Sequence, residues 1–397
     1  MTSTTKTAKA AAPESAIAPR LLAWFDGCAR DLPWRRDPTP YRTLVSELML
    51  QQTVVATVVP YFQRFVARWP DVTALGAARE DDVLAMWSGL GYYARARNLH
   101  RAARAVVERH GGALPADEDA LASLPGVGPY TAAAVAAIAF GRRTFALDGN
   151  AARVVARLAG VEAPIDRPAT RAQLRALGEA WVPLDRPGAF AEAVMELGAT
   201  VCTPRAPDCP RCPVAESCQA RALARTAEIP VRSPRRARLV VRVACARIYR
   251  GGRVLLVKQR TGLLAGTWGL PAGELPESDA GDGAGEVLVP VLRRLGVRPQ
   301  PLTPAGDVRH VFTHRDVTAT VFDLIQAPDR PGRGVRPRRA TNEGARWVSP
   351  SELPTLAVSS FLRKLLAVPA AARPEGPAPS PRRRARRSKG DKRLESP

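Results

Sequence analysis

Three features of this sequence have the residue types and spacing for chemistry. The first is Leu124-Pro125-Gly126-Val127-Gly128, followed about twenty residues later by Asp148-Gly149-Asn150. Gly126 and Gly128 leave backbone room for close approach, or supply positive φ. Pro129 fits the first turn of a helix, where a missing N–H costs nothing. The uncharged run Thr131 to Ala139 predicts a buried helix whose first N–H groups point outward, a site for one phosphate. Asp148 falls where a turn holds a carboxylate at a helix start. A phosphate clamp followed by a positioned carboxylate suggests chemistry on a nucleic acid; the bland alternative is a pair of ordinary turns. The second feature is Cys202, Cys209, Cys212 and Cys218, spaced C-x6-C-x2-C-x5-C, which can converge on one soft metal centre, zinc or iron–sulfur. The third is an absence. Between Lys9 and Lys258 there is no lysine, so no amine in that span can form a Schiff base.

The elements that must position these residues fall into two parts. Residues 1–19 lack apolar periodicity and read as a disordered tail. From 20 to 228 the pattern is helical nearly throughout, punctuated by Gly and Pro, which predicts an all-α domain of about ten short helices. Residues 229–238 are basic and proline-bearing, a linker. From 239 to 367 short β-branched runs appear, Leu239–Ala246 and Arg253–Val257 around Gly251-Gly252, then Arg309–His314 and Val317–Phe322, with a helix over Val287–Leu295. This part reads as a smaller α+β domain. Residues 368–397 hold nine Lys/Arg and many prolines and read as a disordered basic arm.

The balance of 59 Lys+Arg against 37 Asp+Glu, a net charge of +22 over 397 residues, points to a polyanionic partner. No run is long and apolar enough for a membrane span, and no secretory signal opens the chain. Six cysteines, four of them clustered, suit metal binding in a reducing cytoplasm, here beside the bacterial nucleoid. Cys28 and Cys245 read as small buried hydrophobes.

The cysteine spacing resembles the iron–sulfur loop (residues 199–220) of the endonuclease III superfamily of DNA glycosylases, and implies a 4Fe–4S cluster. With that loop, the LPGVG turn resembles the hairpin of a helix–hairpin–helix motif, with Gly126 and Gly128 against DNA and Asp148 as the catalytic aspartate. Bifunctional members carry a lysine after the hairpin, where this chain has Tyr130. Leu32-Pro33-Trp34-Arg35, Ser46 through Thr53 (SELMLQQT) and Gly89 through Leu99 (GLGYYARARNL) resemble the adenine DNA glycosylase (MutY) family in particular. That resemblance implies Glu47 as the catalytic acid. It implies Trp34, Arg35, Leu50, Tyr130, Glu192 and Met195 around a flipped adenine, and Gln52, Thr53, Leu90 and Tyr92 on DNA. Adenine leaves readily only when protonated, and Glu47, among Leu44, Val45, Leu48 and Leu50, is placed for burial to keep its proton. An ionised Asp148, with Asn150 beside it, suits the oxocarbenium-like sugar left behind.

The run Leu263 to Glu274 (LLAGTWGLPAGE) resembles the Nudix fold, but the helix after it lacks the paired glutamates that hold magnesium, so a retained fold with hydrolysis lost is expected. In the adenine glycosylase family this domain checks for 8-oxoguanine through an F-S-H pattern, which resembles Phe312-Thr313-His314 here. The expectation is a mainly α protein with a Nudix-like second domain. It would act as a monomer on duplex DNA and remove adenine opposite 8-oxoguanine or guanine. The competing readings are an endonuclease III-like glycosylase/lyase and a catalytically silent iron–sulfur DNA-binding protein.

Overall fold

The computed structural model describes residues 16–234, 237–276, 283–298, 301–326 and 344–370. The N-terminal tail before 16, the arm from 371 onward and residues 277–282 of the insertion lie outside them. Thirteen helices lead the described chain: α1 (Ile17–Cys28), α2 (Pro33–Arg36), α3 (Pro40–Leu50), α4 (Val55–Arg68), α5 (Val72–Gly76), α6 (Glu80–Met86), α7 (Ala94–His110), α8 (Glu118–Ala122), α9 (Pro129–Phe140), α10 (Gly149–Ala159), α11 (Pro168–Trp181), α12 (Pro187–Thr200) and α13 (Gln219–Ala222). The excess over ten is accounted for by single-turn helices such as α2, α5, α8 and α13, too short to carry a periodic signal. The helix α1 begins inside the stretch read as tail, because Ile17, Leu21, Leu22 and Phe25 form one buried stripe. Cys28 lies past the end of that stripe and is exposed, which corrects its reading as a buried hydrophobe; Cys245 is buried.

These helices enclose two cores. One gathers α2 to α9 around Trp34, Phe62, Phe65 and Trp87. The other gathers α1 and α10 to α13 around Phe145, Phe190 and Trp181, so the chain's first helix closes the second lobe. The helix α9 packs on both α3 and α12. Its alanine-rich run Thr131–Ala137 is buried on every side, as a charge-free helix must be. It therefore stands between the lobes, with Ala132, Val135 and Ala136 in the first core and Ala133 and Ala134 in a small cluster against Met195 of α12.

The second unit is a mixed sheet: β1 (Leu239–Arg250), β2 (Arg253–Lys258), β3 (Trp268–Gly269), β4 (Ala272–Glu274), β5 (Thr303–Val311), β6 (Arg315–Ile325) and β7 (Ala345–Val348). The order β3-β2-β1-β6-β5 has β1 and β6 parallel along their length, with β4 added to β1 and β7 to β2. One face is covered by α14 (Ala284–Arg294), the other by α15 (Ser360–Ala367). Phe312-Thr313-His314 form the turn between β5 and β6, closed by the Phe312 N–H donating to Arg315 O at 2.8 Å; the reading that carried a strand through 314 is corrected. The helix α14 starts at Ala284, three residues ahead of Val287, and holds Pro290 in its interior.

The two units are docked. Ser88 Oγ and Tyr93 OH both donate to Val358 O, at 2.8 and 2.7 Å. Ala357 packs into the first helical core, Arg97 donates to Ala265 O, and Lys258 pairs with Asp81. No described helix is long and apolar enough to cross a membrane.

Candidate active site

Glu47 sits on α3 with 5 % of its surface exposed, among Leu44, Val45 and Leu48 of the first core. Tyr130, in the first turn of α9, donates its hydroxyl hydrogen to Glu47 Oε2 at 2.5 Å and lies 3.9 Å from Met195 Sδ of α12. Burial pushes the Glu47 carboxyl up to about 7; the charges of Asp148 and Glu192 push the same way, while the Tyr130 hydroxyl and Arg35 oppose. Burial beside Glu47 likewise holds the Tyr130 phenol well above its ordinary range.

Asp148 caps α10, its Oδ1 accepting from Ala151 N at 2.6 Å. Burial raises its pKa too, but backbone N–H groups of Ala151 and Asn150 and the charges of Arg153 and Arg171 oppose the rise. A helix N-terminus with aligned donors favours the ionised form, which Glu47 on its apolar helix does not enjoy. Asn150 accepts from Arg153 at 3.0 Å, and Arg153 also donates to Cys202 O and Gly198 O, both at 2.7 Å. Glu47 and Tyr130 thus come from one lobe and the helix beside it, and Asp148, Asn150, Glu192 and Met195 from the other, with Met195 touching Tyr130 and the charges of Asp148 and Glu192 acting on Glu47.

Glu192 accepts from Arg35 Nε at 2.9 Å. Trp34 is buried in the first core with its ring edge-on to Phe62 at 5.4 Å, and Leu50 packs against the same core. Sequence reasoning missed Arg30 and Glu196, which complete an ion network with Arg35. The signal was present in the four-residue step from Glu192 to Glu196, which puts both carboxylates on one face of α12.

The residues read as DNA-facing lie on two loops, with Leu90 buried in the first core and Thr53 half-buried. Gln52 and Tyr92 hold φ of 57° and 49°, left-handed values that non-glycine residues rarely adopt. Both are exposed, Tyr92 at 46 %. Buried Arg95 staples the two loops: it donates to Met49 O at 2.8 Å, Thr53 Oγ1 at 3.0 Å, Leu90 O at 3.2 Å and Gly91 O at 3.2 Å. Sequence reading gave Arg95 no role. Across the domain seam, Tyr92 OH lies 2.9 Å from Thr313 Oγ1, so residues 221 positions apart share one hydrogen bond. Phe312 is propped edge-on by His310 at 4.6 Å and by Phe361 of α15 at 5.8 Å. Thr313 and His314 are exposed.

The two hairpin glycines divide the tasks. Gly126 has φ 76°, and a Cβ there would meet the Asn98 side chain at 2.3 Å. Gly128 has ordinary φ and open space around it, directly before the uncapped N–H groups of α9.

Cys202, Cys209, Cys212 and Cys218 line one pocket together with Arg157 and Leu197. Arg157 Nη1 donates to Cys202 Sγ at 3.3 Å, and Cys218 Sγ lies 3.4 Å from Arg157 O. Burial, with the nearness of the other three thiols, pushes Cys212 up to about 11. Among the described residues no group of three or more His, Cys, Asp or Glu is placed to hold a single metal ion. The donor set, thiols around a cavity, fits an iron–sulfur cluster.

Residues 45–180 match the HhH-GPD superfamily base excision DNA repair protein family, and residues 243–368 match the NUDIX domain. The adenine DNA glycosylase of Rattus norvegicus is 36% identical over 404 residues, covering 88% of this chain and 77% of that protein. That of Homo sapiens is 36% identical over 406 residues, covering 88% and 73%. The Mycolicibacterium smegmatis adenine DNA glycosylase is 43% identical over 195 residues, 49% of this chain and 66% of that protein. Among solved structures, a thermostable thymine-DNA glycosylase is 28% identical with a TM-score of 0.49, covering 52% of this chain and 96% of that one. The matches define a base-excision DNA N-glycosylase, an HhH-GPD helical domain followed by a Nudix-like domain. Within that class, the chain belongs to the adenine DNA glycosylase family.

Proposed function

We propose that the chain hydrolytically removes adenine paired with 8-oxoguanine or guanine, as a monofunctional glycosylase acting as a monomer. The helical domain (17–228) carries the chemistry, and the domain after the linker (229–238) reads the opposite base through residues 239–367. The observation that carries this is the buried, hydrogen-bonded pair Glu47–Tyr130, near enough to the helix-capped Asp148 for its charge to act on both.

Adenine must first leave the stack, at a cost of about a few kcal/mol. Gln52, Thr53, Leu90 and Tyr92 support that step from the partner strand, and the α9 N-terminus with Gly126 and Gly128 holds a phosphate beside it. Glu47, with Tyr130 bonded to its second oxygen, delivers a proton to the purine ring as the glycosidic bond breaks. Asp148 faces the resulting cationic sugar as a carboxylate, and Asn150 aligns the water that adds to it. Glu192, Arg35, Trp34, Leu50 and Met195 shape the base pocket. Phe312, Thr313 and His314, meeting Tyr92, read the 8-oxoguanine. The helical domain holds no lysine for lyase chemistry, and the next in sequence, Lys258, is paired with Asp81 at the domain seam.

Cys202, Cys209, Cys212 and Cys218 would hold a 4Fe–4S cluster, which when bound ties the 199–220 loop and can exchange an electron. Arg205 and Arg211 of that loop then face DNA.

The test is a single-turnover assay on an A·8-oxoguanine duplex with wild type and Glu47→Gln, plus borohydride trapping. Adenine release lost by at least about a thousandfold in the variant, with no trapped adduct in either, is expected. Full activity in Glu47→Gln, or a covalent adduct, would overturn the reading.

A further inference from the structure

Glu196 is the buried carboxylate that the chemistry above leaves without a task. It lies one turn beyond Glu192 on α12 with 1 % of its side chain exposed. Arg30 grips it with both arms of its guanidinium, Nε on Oε1 at 2.5 Å and Nη2 on Oε2 at 3.0 Å. Arg35 joins from the other side, its Nη2 on Oε2 at 3.0 Å. The remaining nitrogens of Arg35 are also engaged: Nε donates to Glu192 Oε1 at 2.9 Å, and Nη1 to Arg30 O at 3.2 Å. Phe25 lies under the same guanidinium at 5.1 Å. Each nitrogen of Arg35 thus has a protein partner, so Arg35 is committed to holding carboxylates and is not free to read a base. Among the described residues no protein donor occupies Glu192 Oε2, which leaves that oxygen for a ligand.

We propose that Glu196 is a positioning residue: with Arg30 as its counter-ion it fixes Arg35, and Arg35 fixes Glu192 in the orientation that accepts the exocyclic amine of a flipped adenine. The inference rests on the adenine-removing reading and names the device behind its base preference. Charge placement agrees with the geometry. Burial pushes Glu196 upward, but the hydrogen bonds from Arg30 and the nearness of Arg35 outweigh it and hold the carboxylate below its ordinary range. Glu192, by contrast, is raised by burial despite Arg35, with Glu196 adding to the rise. The two acids on one helix face therefore differ: Glu196 is the fixed anion, and Glu192 is the carboxyl held at the base.

The discriminating substrate lacks only the amine. Single-turnover rates and Kd are measured on iron-loaded, full-length protein with adenine or 2′-deoxynebularine opposite 8-oxoguanine. The proteins are wild type, Glu196→Gln, Arg35→Met and the double variant, with Glu47→Gln alongside. Glu196→Gln is expected to lower the adenine-over-nebularine preference about tenfold, mainly through Kd, leaving the rate at saturation within a few fold. The double variant is expected to be no worse than either single, because both act through one oxygen of Glu192. An equal loss on both substrates shows a role in folding alone and overturns the inference, as do additive effects. Should Glu196→Gln not fold alone, the double, which removes both charges, is compared with Arg35→Met: equal preference supports the relay, a further loss overturns it. Activity retained in Glu47→Gln fails the parent reading instead, so the two failures are distinct.

Discussion

At the residue scale, the site spends stability on a carboxyl that the fold prefers neutral. Because the Glu47 carboxyl is raised to about 7, its protonated form is the one the folded protein favours. The stabilising contribution is fully present below the unfolded value, near 4.5, and is lost as pH rises through about 7. Two outcomes follow. Adenine release under single-turnover conditions should fall as pH rises through about 7, tenfold per unit beyond it, and a flat profile from pH 6 to 9 would contradict the acid role. Glu47→Gln, neutral at every pH, should melt higher than wild type at pH 8.5 by up to about 3 kcal/mol of stability, with the gap closing below pH 5. The placement of the two acids was legible: Glu47 stood in an apolar run and is buried, and Asp148 stood before a Gly and caps a helix. The arginine network was not. Buried Arg95 lies in a chain so rich in arginine that composition hides the few that are buried, and only packing reveals which carbonyls it serves.

At the element scale, the hairpin and α9 separate shape from contact. Gly126 is required by both its backbone angle and its closeness to Asn98, whereas Gly128 is required by neither. Gly126→Ala should therefore cost about 1–2 kcal/mol of stability, read by thermal or urea unfolding. Gly128→Ala should leave unfolding unchanged yet weaken duplex binding severalfold, because its methyl stands where the phosphate backbone approaches. Equal behaviour of the two in both assays would show that the hairpin is not a phosphate site. The sequence pattern showed α9 as buried because it carries no charge. It did not show that α9 is shared between two cores, since a uniformly apolar helix has no periodic face to report which neighbours it meets. The same blindness hid the turn at Phe312-Thr313-His314: with β-branched and aromatic residues on both sides, the pattern runs on past the last strand hydrogen bond.

At the scale of the whole molecule, the cysteine loop and the second lobe depend on one another. Arg153 and Arg157, both on the helix that Asp148 caps, donate to Cys202 and, in the case of Arg157, to Thr203 O and Pro204 O. With the proposed cluster bound, stripping iron, or Cys212→Ala, should therefore lower the melting temperature by several degrees and loosen the 199–220 segment, seen as faster amide exchange there. Unchanged exchange after iron removal would make the loop self-supporting. Two domains were readable from the switch between helical and alternating patterns. Their docking was not, because Ser88, Tyr93 and Val358 are single residues whose meeting has no one-dimensional signature.

That seam has a practical use. Lys258 is the first amine in the chain after Lys9, and it stands 30 % exposed against Asp81 at the junction. Treated with a mild acylating reagent, it should react slowly while the junction is shut and quickly once it gapes. Peptide mapping of that one modification, with and without duplex, then clocks how often the molecule breathes.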